Sequence, residues 1–503
     1  MKLNRISKIL TVSAVLVGMN ACDITDIDPA NRIPESVAFS DAARVVATVN
    51  GVYEAAQQGF YAGAVQRGYP FGAASTEQGD MKGEDMYNDQ LFYEVTYTNA
   101  WNPTTANNNG MWISLYRLIN RANIVIDGIA SAEQSGAITA DEAKRYRGEM
   151  LFIRALSHHE LLIHYSRPYS DDPSKPGVPY RTVAIDDAGK VAAGIEASDR
   201  GTVQQAYAKI LTDLDEAEQL LGNEGRPYRA TKGAAIALKT RVKLHMKDWA
   251  GVITEATKMK TMGGYALTEA PDGPFQTWTS SESVFSLQNS SASNPGVNGA
   301  LVNMYGDPEL GGRGLVKISP VIWKSSFWLE GDLRRTEMTS ESSTGIFTTK
   351  YYRFGTNDDP TPLIRYAEVV LNAAEAHARL NEDDDALDLL NSVRDRALAD
   401  PADSYTPATV GDLLEAILNE RRIEFLAEGR RWPDIHRLSG EGLLDGIPLK
   451  AQTRSVTSIN QYSSASVNMD HALPYSSNLF VWPIPLEETL YNPILEAQQN
   501  PGY

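Results

Sequence analysis

Two stretches of this chain, 231–262 and 363–397, each read as a pair of alanine-rich helices joined by a very short turn. That pattern constrains the fold more than any other feature of the sequence. Small side chains let two helices approach closely, and a helix–turn–helix unit of about 34 residues is the length of a tetratricopeptide repeat. The two pairs are Thr231–Met246 with Asp248–Met262, and Leu363–Leu380 with Asp383–Ala397. Apolar residues at Ala206, Ile210, Leu214, Ala217 and Leu221 recur at helical spacing across Thr202–Leu221. The same periodicity predicts helices over Met111–Ile129, Asp141–His164 and Val410–Ala427. A further helix is predicted to start at Ser40 as N-cap and to bury Val45, Val49 and Val52. The expected fold is mainly α: a tetratricopeptide-like helix-pair superhelix with long irregular loops and few short strands.

The loops are 59–110, rich in Gly, Asn, Thr and aromatic residues; 263–360, rich in Gly, Ser, Pro and Trp; and 439–480, rich in Ser and Asn. Long irregular segments on a regular scaffold tend to carry function. Charge narrows the ligand class. The net charge of −18 and the absence of Lys/Arg runs longer than pairs such as Arg421-Arg422 argue against nucleic acid, which needs a basic patch.

The single cysteine, Cys22, excludes an intramolecular disulfide and any cysteine nucleophile downstream. Lys2, Arg5 and Lys8 precede the apolar run Ile9–Met19, which is too short to span a bilayer and suits a signal peptide. Met19-Asn20-Ala21-Cys22 then reads as a lipoprotein cleavage site with Cys22 acylated; an ordinary signal cut leaving a free thiol is the alternative. The division expected is a signal peptide at 1–21, an acylated tether at 22–40, an N-terminal helical region at 41–262, and a C-terminal region at 263–503 packed with it as one unit.

Catalytic and metal templates fail. His158-His159-Glu160-Leu161-Leu162-Ile163-His164 misses the H-E-x-x-H zinc motif, because Ile163 stands where the second histidine is needed. There is no G-x-S-x-G elbow and no Walker A loop. Glu420, Glu424 and Glu428 fall at helical spacing beside Arg421, Arg422, Arg430 and Arg431, which reads as an ion-paired helix face and not as an acid/base pair. On Leu363–Leu380 the residues Arg365, Glu368, Asn372, Glu375 and Arg379 draw one polar stripe, expected to be exposed, with Glu375–Arg379 an i,i+4 pair. No catalytic residue, cofactor or metal site is expected.

Five stretches in order resemble the SusD/RagB family. They are Gly148-Glu149 through Leu156, Ala234 to Trp249, Ile364 through Ala376, Glu420 to Trp432, and Pro483-Ile484-Pro485 with the terminal Gln499-Asn500-Pro501-Gly502-Tyr503. Pro433 and His436 depart from the family's usual Phe and Arg. The resemblance implies four tetratricopeptide-like pairs and a lipid-anchored lipoprotein on the outer face of the outer membrane. It also implies a SusC-like TonB-dependent transporter as partner and a cargo that is usually an oligosaccharide and sometimes a peptide.

Sugars offer C–H faces to aromatic rings and hydroxyls to polar neighbours. Tyr93, Tyr97 and Trp101 with Asp80 in the first long loop, and Trp278 and Tyr305 in the second, are therefore the candidate ligand platform. The competing reading is that these rings plug the core beneath the loops. Two other functions fit the sequence less well: a surface glycoside hydrolase, and a protein-only helical-repeat scaffold.

Overall fold

The computed structural model describes residues 35–503 apart from 62–64, 89 and 464. The expected signal peptide, Cys22 and most of the tether lie outside the described residues.

The helices that build the scaffold begin with α1 (Ala42–Gln58) and the short α2 (Ala73–Met81). Then come α3 (Ala106–Gln134), α4 (Ala140–Tyr165) and α5 (Val203–Leu220). The first alanine-rich pair is α6 (Lys232–Met246) and α7 (Trp249–Met262); the second is α8 (Tyr366–Arg379) and α9 (Asp383–Arg394). After these follow α10 (Leu413–Glu424), α11 (Arg431–Gly440) and α12 (Leu486–Tyr491). Local chemistry sets several starts. Thr139 and Thr202 close capping boxes with Glu142 and Gln205. The first long helix is capped by Asp41, which accepts from the Arg44 backbone N–H, and not by Ser40 as the sequence suggested. A carboxylate one residue closer both satisfies that N–H and meets the positive end of the helix dipole.

Each helix packs on the next: α3 on α4, α4 on α5, α5 on α6 and α6 on α7. The array continues without a break, because α6 and α7 both pack on α8, and α8 packs on α9 and α10. The expected mainly helical superhelix is what forms. Strands among the described residues are confined to two-stranded antiparallel ribbons. Two of these matter below: β1 (Met86–Asn88) pairs with β3 (Val316–Ile318), and β2 (Ser283–Leu287) pairs with β4 (Thr361–Arg365). One cluster of buried apolar side chains runs from Phe39 to Leu495, so segments 41–262 and 263–503 share a core. A smaller cluster lies between α8, α9 and α10.

The charged stripes are inside the protein, which corrects the sequence reading of exposed helix faces. Arg365 closes β4 and is buried between three carboxylates. It makes a bidentate pair with Glu428 (both contacts 2.8 Å), reaches Glu424 at 2.9 Å, and bonds Glu282. Arg396 bridges Glu282 and Glu424; Arg334 bridges Glu420, Glu424 and Asp332; Lys350 holds Glu428 at 2.7 Å. Glu428 is not on the helix of Glu420 and Glu424, because α10 ends at Glu424 and Ala427 takes a left-handed backbone (φ 62°). The α8 stripe is likewise buried: Glu368 pairs with Arg241, Asn372 accepts from Arg421 at 2.7 Å, and Glu375 pairs with Arg437. Burial alone would raise the Glu424 carboxyl, but the Arg396, Arg365 and Arg334 guanidinia hold it well below the usual carboxylate range.

Five of the seven histidines are also buried. His158 is fixed as a neutral ring, its Nδ1 donating to the Arg154 carbonyl (2.9 Å) and its Nε2 accepting from the Arg181 N–H (3.1 Å). Burial lowers His158, His159 and His436 to about 3 and His164 to about 4.

Two outcomes follow. Arg365→Met strands Glu282, Glu424 and Glu428 and lowers stability by about 3–5 kcal/mol in urea unfolding, the usual cost of breaking a buried ion cluster from one side. Acid weakens the fold in a set window. An imidazole kept neutral in the fold but titrating near 6.5 when unfolded leaves full stability above pH 6.5. That stability is lost as pH falls towards 4 and then 3, at up to about 1.4 kcal/mol per pH unit for each such histidine. Melting temperature measured from pH 7.5 downward therefore declines from about 6.5, and His436→Gln makes that decline shallower.

Candidate functional site

The β1–β3 ribbon stitches the first two long loops together, with Met86 opposite Ile318 and Asn88 opposite Val316. Past Asn88 the chain folds back on itself. The Gln90 N–H donates to Asn88 Oδ1 (3.1 Å), and Asn88 Nδ2 donates to the Phe92 carbonyl (2.6 Å). This turn leaves Leu91 79% exposed and Phe92 half-buried at its tip. A second approach brings more groups to the same place. Gly68 has φ +67°, and a Cβ there would lie 2.6 Å from the Ala73 nitrogen and 2.8 Å from the Gly299 carbonyl. Only glycine lets the 67–68 turn nest against segment 295–300 in this way.

The outcome is a surface cluster drawn from both loops. The Arg67 and Arg313 guanidinia lie 4.4 and 5.3 Å from the Phe92 ring centroid. Arg313 donates to Asn298 Oδ1 (2.6 Å), and its backbone N–H donates to the Asn303 carbonyl (2.8 Å). Beneath the rim lie Glu77 of α2 and Tyr93, both buried. Neither Glu77 oxygen nor the Tyr93 hydroxyl has a well-formed hydrogen bond among the described residues. Burial pushes the Glu77 carboxyl well above its ordinary range, only partly offset by Tyr93, Arg313 and Arg67. A partly buried ring, an exposed aliphatic side chain and guanidinium and amide donors can hold a polyol with one apolar face.

The six candidates named from the sequence lie in the interior instead, a correction to the expected platform. Trp101 is 3% exposed; its Nε1 donates to the Tyr503 hydroxyl (3.0 Å) and its ring meets Trp482 edge-on. The Tyr97 hydroxyl donates to the Ala451 carbonyl (2.6 Å). The structure does bring Tyr305 and Asp80 together, the hydroxyl donating at 2.6 Å, while the Gly429 N–H donates to the other Asp80 oxygen (3.0 Å). Burial raises Asp80 to about 7 despite these donors. Tyr93 lies under the rim, and Trp278 packs edge-on against Phe275. The physical reason is that an irregular loop has no period to separate an inward face from an outward one. Its large rings then fill the volume beneath it. The rim residues were not singled out from the sequence. Their faint signals are the apolar pair Leu91-Phe92 in a polar stretch and an arginine within Gly311-Gly312-Arg313-Gly314.

Lys82 shows how the interior is closed. Its Nζ is 3.7, 4.3 and 5.1 Å from the ring centroids of Trp432, Trp482 and Trp101, and burial holds its pKa far below the ordinary value. Elsewhere, a cleft of about 940 Å³ lies between α3, segment 181–197 and α12, sharing no lining residue with the loop cluster. Arg117 and Arg121 line it, with Val191, Leu490 and Tyr491 exposed beside them. His377, Glu382 and Asp385 converge at the α8–α9 turn, where His377 Nδ1 and Glu382 lie 2.6 Å apart in a hydrogen bond. Among the described residues no helix is long and apolar enough to cross a membrane.

An unbroken array of helix pairs carrying long loops on one shared core defines a class of helical-repeat proteins, and comparison with known proteins narrows it. Residues 334–503 match the sequence model of the SusD family, and residues 35–244 match a model described as starch-binding associating with outer membrane. SusD-like protein P38 of Formosa agariphila is 23% identical, over 87% of this chain and 92% of its own length. A SusD superfamily protein from Bacteroides fragilis superposes with a TM-score of 0.76 at 27% identity, covering 91% of this chain and 99% of its own. Surface glycan-binding protein A from Bacteroides uniformis shares the fold, with a TM-score of 0.68 at 18% identity over 91% of this chain and 99% of its own. The chain belongs to the SusD/RagB family.

Replacement of one ring from each group separates the two roles. Trp101→Ala removes a core side chain and costs about 3–5 kcal/mol in urea unfolding. Phe92→Ala costs less, about 1–2 kcal/mol, as for a partly buried ring at the edge of the core.

Proposed function

We propose that this protein captures an oligosaccharide at the outer cell surface and passes it to a SusC-like TonB-dependent transporter, held to the outer membrane by a lipid on Cys22. The observation that carries the reading is the loop cluster: the exposed Leu91 and the partly buried Phe92, with Arg67, Arg313 and Asn298 about them, on the scaffold of a SusD/RagB chain. The family model described as starch-binding associating with outer membrane supports both ligand class and location. So does the glycan binding named for the related fold from Bacteroides uniformis. Apolar contact with Leu91 and the exposed part of Phe92 supplies affinity and the polar groups supply orientation, a division suited to reversible capture and release. The carboxylates that a hydrolytic reading would use are committed to basic side chains: Glu420, Glu424 and Glu428 are buried and each pairs with buried cations.

Calorimetry of the chain from residue 23 onward against a panel of oligosaccharides and peptides tests the reading. Saturable saccharide binding that weakens about tenfold or more in Phe92→Ala is expected. No saccharide binding, or release of cleaved product during the incubation, defeats it. In cells, Cys22→Ala is expected to move the protein from the membrane to the soluble fraction.

A further inference from the structure

The proposed site presents cationic side chains on a chain that is negative overall. The chain holds 64 acidic and 46 basic residues. Yet the rim about Phe92 presents two guanidinia from different loops. Arg313 is exposed, makes no ion pair among the described residues, and is held in place by neutral groups only: Asn298 Oδ1 at 2.6 Å and the Asn303 carbonyl at 2.8 Å. Several other arginines are committed to buried carboxylates, as Arg365, Arg396, Arg334, Arg421 and Arg437 are. Beneath the rim, burial raises the Glu77 carboxyl, with Tyr93 and the Arg313 and Arg67 charges acting the other way.

Resting on the reading of this cluster as the saccharide site, we infer that its cargo is an anionic saccharide, a uronate or sulfate ester, whose negative group is received by Arg313 and Arg67 while a sugar face lies against Phe92 and Leu91. A planar guanidinium offers paired donors that match a carboxylate or a sulfate, and one already anchored by an amide oxygen loses little freedom on binding. A neutral glycan takes only ordinary hydrogen bonds from the two guanidinia, without the charge pairing that strengthens them. An overall negative chain would otherwise repel an anionic ligand, so the local reversal of sign has a consequence for selection as well as for affinity.

The test is titration of the chain from residue 23 onward with length-matched sets of neutral, uronate-containing and sulfated oligosaccharides, at low and at high salt. The expected result is binding of a charged set that weakens as salt is raised. Arg313→Gln is expected to weaken it about tenfold, the loss typical of one charge-assisted contact, with melting temperature unchanged. Arg313→Lys should recover part of that loss. Whether carboxylate or sulfate is the group received is read from which charged set binds. Binding of neutral oligosaccharides alone overturns the inference and leaves the saccharide site standing. Charged-ligand binding that ignores Arg313→Gln also overturns it. Failure of every set to bind overturns both the inference and the reading beneath it.

Discussion

The side chain on which the rest of the structure depends is Arg365. It ends β4, starts α8, and meets carboxylates from three places: Glu282 beside β2, Glu424 at the end of α10, and Glu428 in the turn beyond. A buried guanidinium is tolerable only when its donors are all used, and here they are shared among Glu282, Glu424 and Glu428 in a geometry that fixes three chain segments at once. The same device recurs at Arg241–Glu368 and Arg437–Glu375, each bidentate and buried. The helix pairs are thus locked in register by ion pairs as well as by small apolar residues. A buried ion cluster contributes less to net stability than an apolar core of equal volume would, but it penalises any shifted packing heavily.

This rigidity gives the loops a fixed base. The turn that presents Phe92 is joined to the second loop region by the β1–β3 ribbon and pressed against 295–300 at Gly68. Asp80, one turn beyond Glu77 on α2, is tied to Tyr305 and to Gly429 in the segment of the charged cluster. The helix that carries Glu77 is therefore tied to the core by hydrogen bonds at Asp80, and the loop cluster projects above it. A site on loops gains precision when the residues behind it are packed and bonded in this way.

The sequence made the scaffold legible wherever a period or a cap was present. Thr202–Leu221 has an apolar stripe and a capping box, and it forms the helix expected. The first alanine-rich pair likewise forms as expected. Misreadings arose where tertiary contacts overrode local pattern. Leu363 and Ile364 continue the helical pattern of α8, but they belong to a strand because Ser283–Leu287 offers an edge to pair with. The helix Arg431–Gly440 was not foreseen, although Pro433 falls in its first turn, where proline is tolerated. Charge was read as exposure because the partners of Glu375 and Glu424 lie far away in sequence, at Arg437, Arg365 and Arg334. The site itself was least legible. Its aromatic candidates were numerous, and only the folded loops separate Trp101, packed on Trp482, from Phe92 at the surface.

The most direct measurement is a crystal structure of the protein with whichever oligosaccharide binds in solution. The account predicts sugar density against Phe92, with Arg313 and Asn298 bonded to it and Trp101, Tyr97 and Tyr305 still in the interior. Density in the cleft between α3 and α12, with the Phe92 rim empty, would contradict it.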